Sequence, residues 1–159
     1  MAKATRATQM LEKLRVPFTV HTYAYDPDAQ RTGLQAAEAL GEHPARVLKT
    51  LMALVDGKPV CAIVPSDAEV SMKKLAAAFG GKSAQMMKPA DAERLTGYKV
   101  GGISPFGQMR KTPTAMEAAA LAHDLVFING GQRGLQVRLA PQDAVDALGA
   151  NIAPLIADA

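Results

Sequence analysis

The chain has 159 residues, 48% of them hydrophobic and 21% charged, with a formal net charge of +3. That length and balance suit one globular domain and exclude a fibrous or intrinsically disordered chain. No apolar run approaches the ~20 residues that a membrane span requires. Met1 to Gln9 is polar and lacks the apolar stretch of a secretory signal, so a cytoplasmic protein is expected. The lone cysteine, Cys61, precludes an internal disulfide. The mild basic excess permits a polyanionic partner without requiring one.

In chain order, Met10, Leu11 and Leu14 fall at helical spacing within residues Ala4 to Leu14. Val16-Pro17 ends that helix, because a residue preceding proline disfavours the helical region. Phe18 to Tyr25, rich in Thr, Val and Tyr, reads as a strand, Asp26-Pro27 as a turn, and Leu34 to Leu40 as a short helix stopped by Gly41. Val47 to Val55 is a long apolar strand, and Asp56-Gly57 is a strong hairpin signal before the returning strand Lys58 to Val64. Ser71 to Phe79 reads as a helix closed by Gly80-Gly81. A short strand over Ser83 to Met87 and a helix over Pro89 to Leu95 follow, with proline well placed in its first turn. Val100 to Gly107 is a glycine-rich loop, and Thr114 to Ala122 reads as a helix. Leu125 to Asn129 and Leu135 to Leu139 read as strands joined across residues 130–134, and Pro141 to Leu148 as a last helix ended by Gly149. Hairpins and helices are interspersed without regular βαβ alternation, which predicts an α+β fold in one domain over residues 1–159.

Lys49 is the most informative single residue. Strand alternation puts it on one face with Val47, Leu51, Ala53 and Val55. A lysine inside an apolar strand must reach water, find an anion or lose its charge. It either lines a cleft and holds a phosphate or carboxylate, or snorkels to solvent near a strand end. Gly101-Gly102-Ile103-Ser104-Pro105-Phe106-Gly107 fixes an unusual backbone path. Such a loop either aims several N–H groups at one point, as an anion or oxyanion site, or is simply a tight connection. It lacks the Gly-Lys-Ser/Thr of a Walker loop and the spacing of a dinucleotide fingerprint. Asn129-Gly130-Gly131-Gln132-Arg133-Gly134 reads as a hairpin turn in which Gly131 could bring backbone groups close to a ligand.

Familiar hydrolase parts are missing. There is no Gly-x-Ser-x-Gly elbow, and His21, His43 and His123 show no metal-ligand spacing with each other or with Cys61. Cys61, in Val60-Cys61-Ala62-Ile63-Val64, reads as a small buried hydrophobe, and Met86-Met87 as core filler. Lys73-Lys74 and Arg110-Lys111 read as a solvated helix face and a loop, a poor nucleic-acid signal without interleaved aromatics. No metal and no cofactor are expected.

The combination carries more than its parts. His21-Thr22-Tyr23, Val47 to Leu51, Thr96-Gly97-Tyr98 leading into Val100 to Pro105, and Gly130-Gly131 followed by Arg133-Gly134-Leu135 occur in one order and spacing. In these stretches the sequence resembles the YbaK-type Cys-tRNA(Pro) deacylases, relatives of the editing domain of bacterial prolyl-tRNA synthetases. The resemblance implies one α+β domain around a mixed, barrel-like sheet with surrounding helices, acting on mischarged aminoacyl-tRNA. It assigns the central lysine to Lys49 with Thr50 beside it, the Gly-x-x-x-Pro loop to Gly101–Pro105, a pocket tyrosine to Tyr23 and a later glycine to Gly131. Asn129 stands where the family commonly has serine, and Gln136 where it commonly has aspartate.

The same resemblance implies that no protein side chain is the nucleophile, the substrate's own thiol attacking its ester. Lys49 and Gly101 are then the catalytic candidates. Tyr23, Thr50, Gly102, Ile103, Ser104, Pro105, Asn129, Gly131 and Gln136 are the substrate-binding ones. The implied partners are tRNA(Pro) and prolyl-tRNA synthetase, with neither DNA nor a membrane. Two alternatives stand beside this reading: a sister deacylase acting on Ala-tRNA(Pro) or another misacylated tRNA, and a non-catalytic module that binds aminoacyl-tRNA or the synthetase.

Overall fold

The structure is a computed structural model and describes residues 4–28 and 32–158, so Met1 to Lys3 of the polar N-terminus lie outside it. Helix α1 (Arg6–Lys13) begins where Thr5 and Thr8 cap each other: Thr8 N–H donates to Thr5 Oγ1 at 3.1 Å and Thr5 N–H to Thr8 Oγ1 at 2.8 Å. Its buried stripe, Ala7 and Leu11, enters the main core.

Strand β1 (Thr19–Thr22) pairs antiparallel with β7 (Leu135–Leu139), which pairs antiparallel with β6 (Val126–Asn129), forming a three-stranded sheet. Period-two alternation gives this sheet two different faces. Val126, Ile128, Val137 and Leu139 face the main core. The opposite face carries the row His21, Gln136 and Asn129, which are direct cross-strand partners. Helix α2 (Thr32–Leu40) meets the sheet where Ala36 and Ala37 pack with Phe127 and Val47.

Strand β2 (Leu48–Val55) and β3 (Lys58–Pro65) form the expected hairpin. Asp56 and Gly57 both take positive φ, 48° and 80°, the geometry that lets a two-residue turn follow the strand twist. Around the hairpin a five-stranded sheet runs in the order β4 (Ala84–Met86), β2, β3, β5 (Thr114–Glu117) and β8 (Asn151–Ala153). The β3–β5 and β5–β8 pairs are parallel and the rest antiparallel, so the sheet is mixed. Met52, Cys61 and Ile63 face the main core. Ala53, Val60, Ala62 and Val64 face a second core closed by Leu75 and Ala76 of α3 (Met72–Ala78) and by Leu155. Helices α4 (Pro89–Thr96) and α5 (Pro141–Leu148) complete the α+β architecture.

The two sheets share the main core but are joined by backbone pairing at one isolated bridge, Val47 with Phe127, so among the described residues the barrel-like arrangement does not close. One expectation is corrected. Residues Thr114 to Ala122 are not one helix but strand β5 followed by a 3-10 turn over Ala118–Ala122. Parallel pairing with β3 buries all of β5 and overrides the local propensity of an alanine-rich run. Glu117 ends that strand as a buried carboxylate whose oxygens accept N–H groups from Ala119 (2.8 Å), Leu155 (2.7 Å) and Ile156 (3.2 Å). Among the described residues no helix is long and apolar enough to cross a membrane.

Candidate active site

The open seam between the two sheets creates the site. Among the described residues, β6 bridges the edge of this seam at Val47, just before β2, and β4 pairs with Ala53 to Val55. The stretch between them, Leu48 to Met52, lines a cavity of about 350 Å³. Its other walls come from Tyr23 after β1, Leu34 of α2, Met86, Met87 and Pro89 at the β4–α4 junction, Val100, Gly101 and Ile103 of the glycine loop, Asn129 at the end of β6, and Gln136 of β7. Apolar side chains predominate. Lys49 is the one charged residue on the wall among the described residues.

Seven of the eleven candidates therefore converge on one cavity: Lys49, Thr50, Tyr23, Gly101, Ile103, Asn129 and Gln136. The other four stand behind the wall. Gly102 is buried and donates its N–H to Lys99 O at 2.8 Å. A Cβ there would lie 2.7 Å from Arg133 N, so only glycine lets the loop approach the 129–134 turn this closely. Ser104 is fully buried, its hydroxyl accepting from Phe106 N–H at 3.2 Å. Pro105 lines a separate cavity of about 140 Å³ with Met10, Thr112 and Leu148. Gly131 lies against the Tyr98 ring and donates its N–H to Asn129 Oδ1 at 2.7 Å.

Loop and turn are bound together by side chains. Asn129 donates Nδ2–H to Gly101 O at 3.2 Å, while its Oδ1 accepts from Gly131 and Gln132 N–H. Arg133 donates Nε–H to Val100 O at 2.9 Å, and its guanidinium stacks 5.3 Å over the Tyr25 ring. Gly101 has φ +90°, and a Cβ there would meet Tyr25 Oη at 2.4 Å, so the position requires glycine on both counts. Tyr98 closes the back of the assembly through Oη–H to Phe106 O at 2.6 Å. Burial pushes this phenol up to about 12 and keeps it neutral.

Two side-chain atoms on the wall are without partners among the described residues: Thr50 Oγ1 and Gln136 Oε1. Leaving a buried polar atom unpaired costs roughly 1–3 kcal/mol. A fold tolerates such a cost most readily where a ligand completes the bond. Beside Gln136, burial raises the Tyr23 phenol above its ordinary value, with the Gln136 side chain opposing that shift, so Tyr23 is a neutral hydroxyl. Cys61, the cross-strand partner of Met52, does not line the cavity: it is fully buried, with its thiol pushed to about 12 by desolvation. Among the described residues no group of three His, Cys, Asp or Glu side chains is arranged to hold a metal ion.

Ser66, Met52, Met86 and Met87 also line the cavity, and sequence reasoning did not single them out as site residues. Ser66 is held in place by its hydroxyl and N–H, which both donate to Val47 O. Nothing local marks these residues, because the cavity wall is assembled from distant segments. Met86-Met87, expected as core filler, divides: Met87 is buried in the main core, but Met86 is exposed, and both line the cavity.

Residues 27–147 match the sequence profile of the aminoacyl-tRNA editing domain. The chain belongs to that family. It is 35% identical over 139 residues to an Enterococcus faecalis protein described as a candidate Cys-tRNA(Pro)/Cys-tRNA(Cys) deacylase, EbsC, covering 87% of this chain and 84% of that one. It is 32% identical over 91 residues to a proline-tRNA ligase of Acidithiobacillus ferrooxidans, covering 57% of this chain but only 16% of the ligase. A crystal structure of a candidate trans-editing enzyme for prolyl tRNA synthetase superposes with a TM-score of 0.81 at 22% identity, covering 99% of this chain and all of that one.

Proposed function

We propose that the protein is a cytoplasmic aminoacyl-tRNA deacylase that clears Cys-tRNA(Pro). The observation that carries this reading is the cavity in the sheet seam, where one lysine, a glycine loop and two unpartnered polar atoms surround an apolar chamber. The chamber suits a small aminoacyl group, and Lys49 suits the phosphate or sugar region of the terminal nucleotide as a point charge. Similarity to a protein named for Cys-tRNA(Pro) supports the cysteinyl specificity.

The substrate supplies its own nucleophile. The cysteinyl thiol attacks the ester carbonyl, forming a C–S bond and a tetrahedral oxyanion. The C–O bond to the ribose breaks, the thiol proton passes to the departing ribose oxygen, and tRNA and a cyclic thiolactone leave. The protein's part is to hold the ester in a reactive pose and to stabilise the oxyanion. Because Gly102 N–H is committed to Lys99 O, the Gly101 and Ile103 amides on the cavity wall are the donors we assign. Tyr23 and Thr50 shape the chamber. A modest basic excess gives mostly salt-dependent, unselective tRNA affinity, so selection of tRNA(Pro) falls to a ternary complex with prolyl-tRNA synthetase.

The test is deacylation of Cys-tRNA(Pro) beside Ala-tRNA(Pro), with wild type and Lys49→Ala. Turnover of the cysteinyl ester alone, lost in the variant, is the expected result. Turnover of the alanyl ester rules out thiol assistance and moves the protein to a sister specificity. Binding without turnover of either ester favours a non-catalytic module, and near-normal turnover by Lys49→Ala removes the lysine from the mechanism.

A further inference from the structure

Two consecutive peptide planes of the glycine loop are tied differently. The plane joining Gly101 to Gly102 is held at both ends: its carbonyl accepts from Asn129 Nδ2 at 3.2 Å and its N–H donates to Lys99 O at 2.8 Å. The plane joining Val100 to Gly101 is held at its carbonyl, by Arg133 Nε at 2.9 Å. No peptide bond here is cis. In a trans peptide the N–H points opposite to the C=O, so the bond from Arg133 to Val100 O sets the direction of the Gly101 N–H, away from the turn. Among the described residues that amide meets no acceptor.

We propose that Arg133 is a positioning residue that aims the Gly101 N–H at the reacting carbonyl, with Tyr25 as its backing. The inference rests on the deacylase reading above and adds to it two residues outside the cavity wall. Tyr25 touches both partners: its ring lies under the Arg133 guanidinium at 5.3 Å, and its hydroxyl crowds the Gly101 Cα closely enough to exclude any Cβ. The guanidinium is exposed, yet it is fixed by a directional Nε–H bond on one edge and by the ring on one face. A lysine ammonium, a compact charge on a flexible stem, would supply neither constraint. Asn129 holds Gly101 on its far side through the carbonyl, and with no side chain on Gly101 the Val100–Gly101 plane depends on the Arg133 bond for its own tilt.

The experiment compares kcat and KM on the misacylated tRNA for wild type, Arg133→Ala and Arg133→Lys, and follows the Gly101 amide in ¹H–¹⁵N spectra of each. A reacting group displaced by about 1 Å costs on the order of 100-fold in rate, so kcat is expected to fall about 10- to 100-fold in both variants. KM stays within about twofold, because the lost interaction acts on the transition state. The Gly101 cross-peak shifts and broadens in both variants while the other core amides hold. A rise in KM with kcat preserved, accompanied by a shallower salt dependence in Arg133→Ala, identifies Arg133 as a phosphate contact and overturns the proposal. Full kcat in Arg133→Lys overturns it too, since charge alone would then suffice. A wild type inactive on every misacylated tRNA counts against the deacylase reading, and a Gly101 amide unmoved in Arg133→Ala overturns the positioning role whatever the activity.

Discussion

Asn129 Nδ2 donates to Gly101 O at 3.2 Å, a bond that spans 28 residues of chain and joins the end of β6 to the loop forming one wall of the cavity. The same amide accepts Gly131 N–H at 2.7 Å and Gln132 N–H at 3.3 Å, so one side chain orders turn and loop together. Asn129→Ala would strand these backbone groups where the side chain is only 8% exposed. The expected cost is about 1–3 kcal/mol of stability, read as a lowered urea midpoint, together with a drop in kcat as the loop loosens. An unchanged midpoint would mean that water replaces the amide without penalty.

Thr50 presents the opposite situation. Its Oγ1 is buried on the cavity wall without a partner. Thr50→Val keeps the shape and removes the unsatisfied hydroxyl, so it should stabilise the unliganded protein by about 1 kcal/mol. If substrate completes that bond, the variant should also lose turnover, the usual exchange between stability and activity at a binding site. Thermal unfolding and a deacylation assay on one preparation check both halves. Destabilisation would show that the hydroxyl is already paired in the free protein.

Elements whose determinants are local are legible in the sequence. The Asp56-Gly57 hairpin, strand β7 over Leu135–Leu139 and helix α5 over Pro141–Leu148 occur where turn chemistry and periodicity put them. Residues 114–122 are not legible in this way, because the partner that makes β5 a strand lies some fifty residues earlier, in parallel register at Cys61 to Ile63, and no short window contains it. Strand β8, hydrogen-bonded to β5, was invisible for the same reason. The barrel-like sheet stays open at one edge, where Val47 bridges to Phe127 and the start of β2 lines the cavity. Lys49 stood out as a charge in an apolar strand. The roles of Asn129 and Arg133 did not, since both depend on where two carbonyls of a distant loop point.

Cys61 tests the claim that the protein brings no nucleophile of its own. The thiol is fully buried and desolvation pushes it to about 12, so thiolate is negligible at neutral pH. Native protein at about pH 8 should resist a thiol reagent and react only on unfolding. Cys61→Ala should retain turnover while losing about 1 kcal/mol of stability to the small cavity it leaves in the core. Loss of turnover in a variant with intact structure would reopen the question of a covalent intermediate.

Asp56 links stability to acid pH. Its carboxylate accepts N–H groups from Lys82 (3.1 and 3.2 Å) and Ser83 (3.0 Å), tying the β2–β3 hairpin to the segment that enters β4. These backbone bonds, Lys82 first, hold its pKa below the ordinary aspartate value. A group whose folded pKa is depressed contributes stability that is fully present above its unfolded pKa, about 3.9. That contribution is lost as pH falls through the lower, folded value. Asp56→Asn cannot titrate, so its urea midpoint should fall less steeply than that of the wild type between about pH 5 and pH 2. At neutral pH the variant should be the weaker of the two, because a neutral amide oxygen accepts N–H groups less strongly than a carboxylate. Parallel acid slopes for the two proteins would place the pH dependence elsewhere and leave the Asp56 bonds without measurable weight.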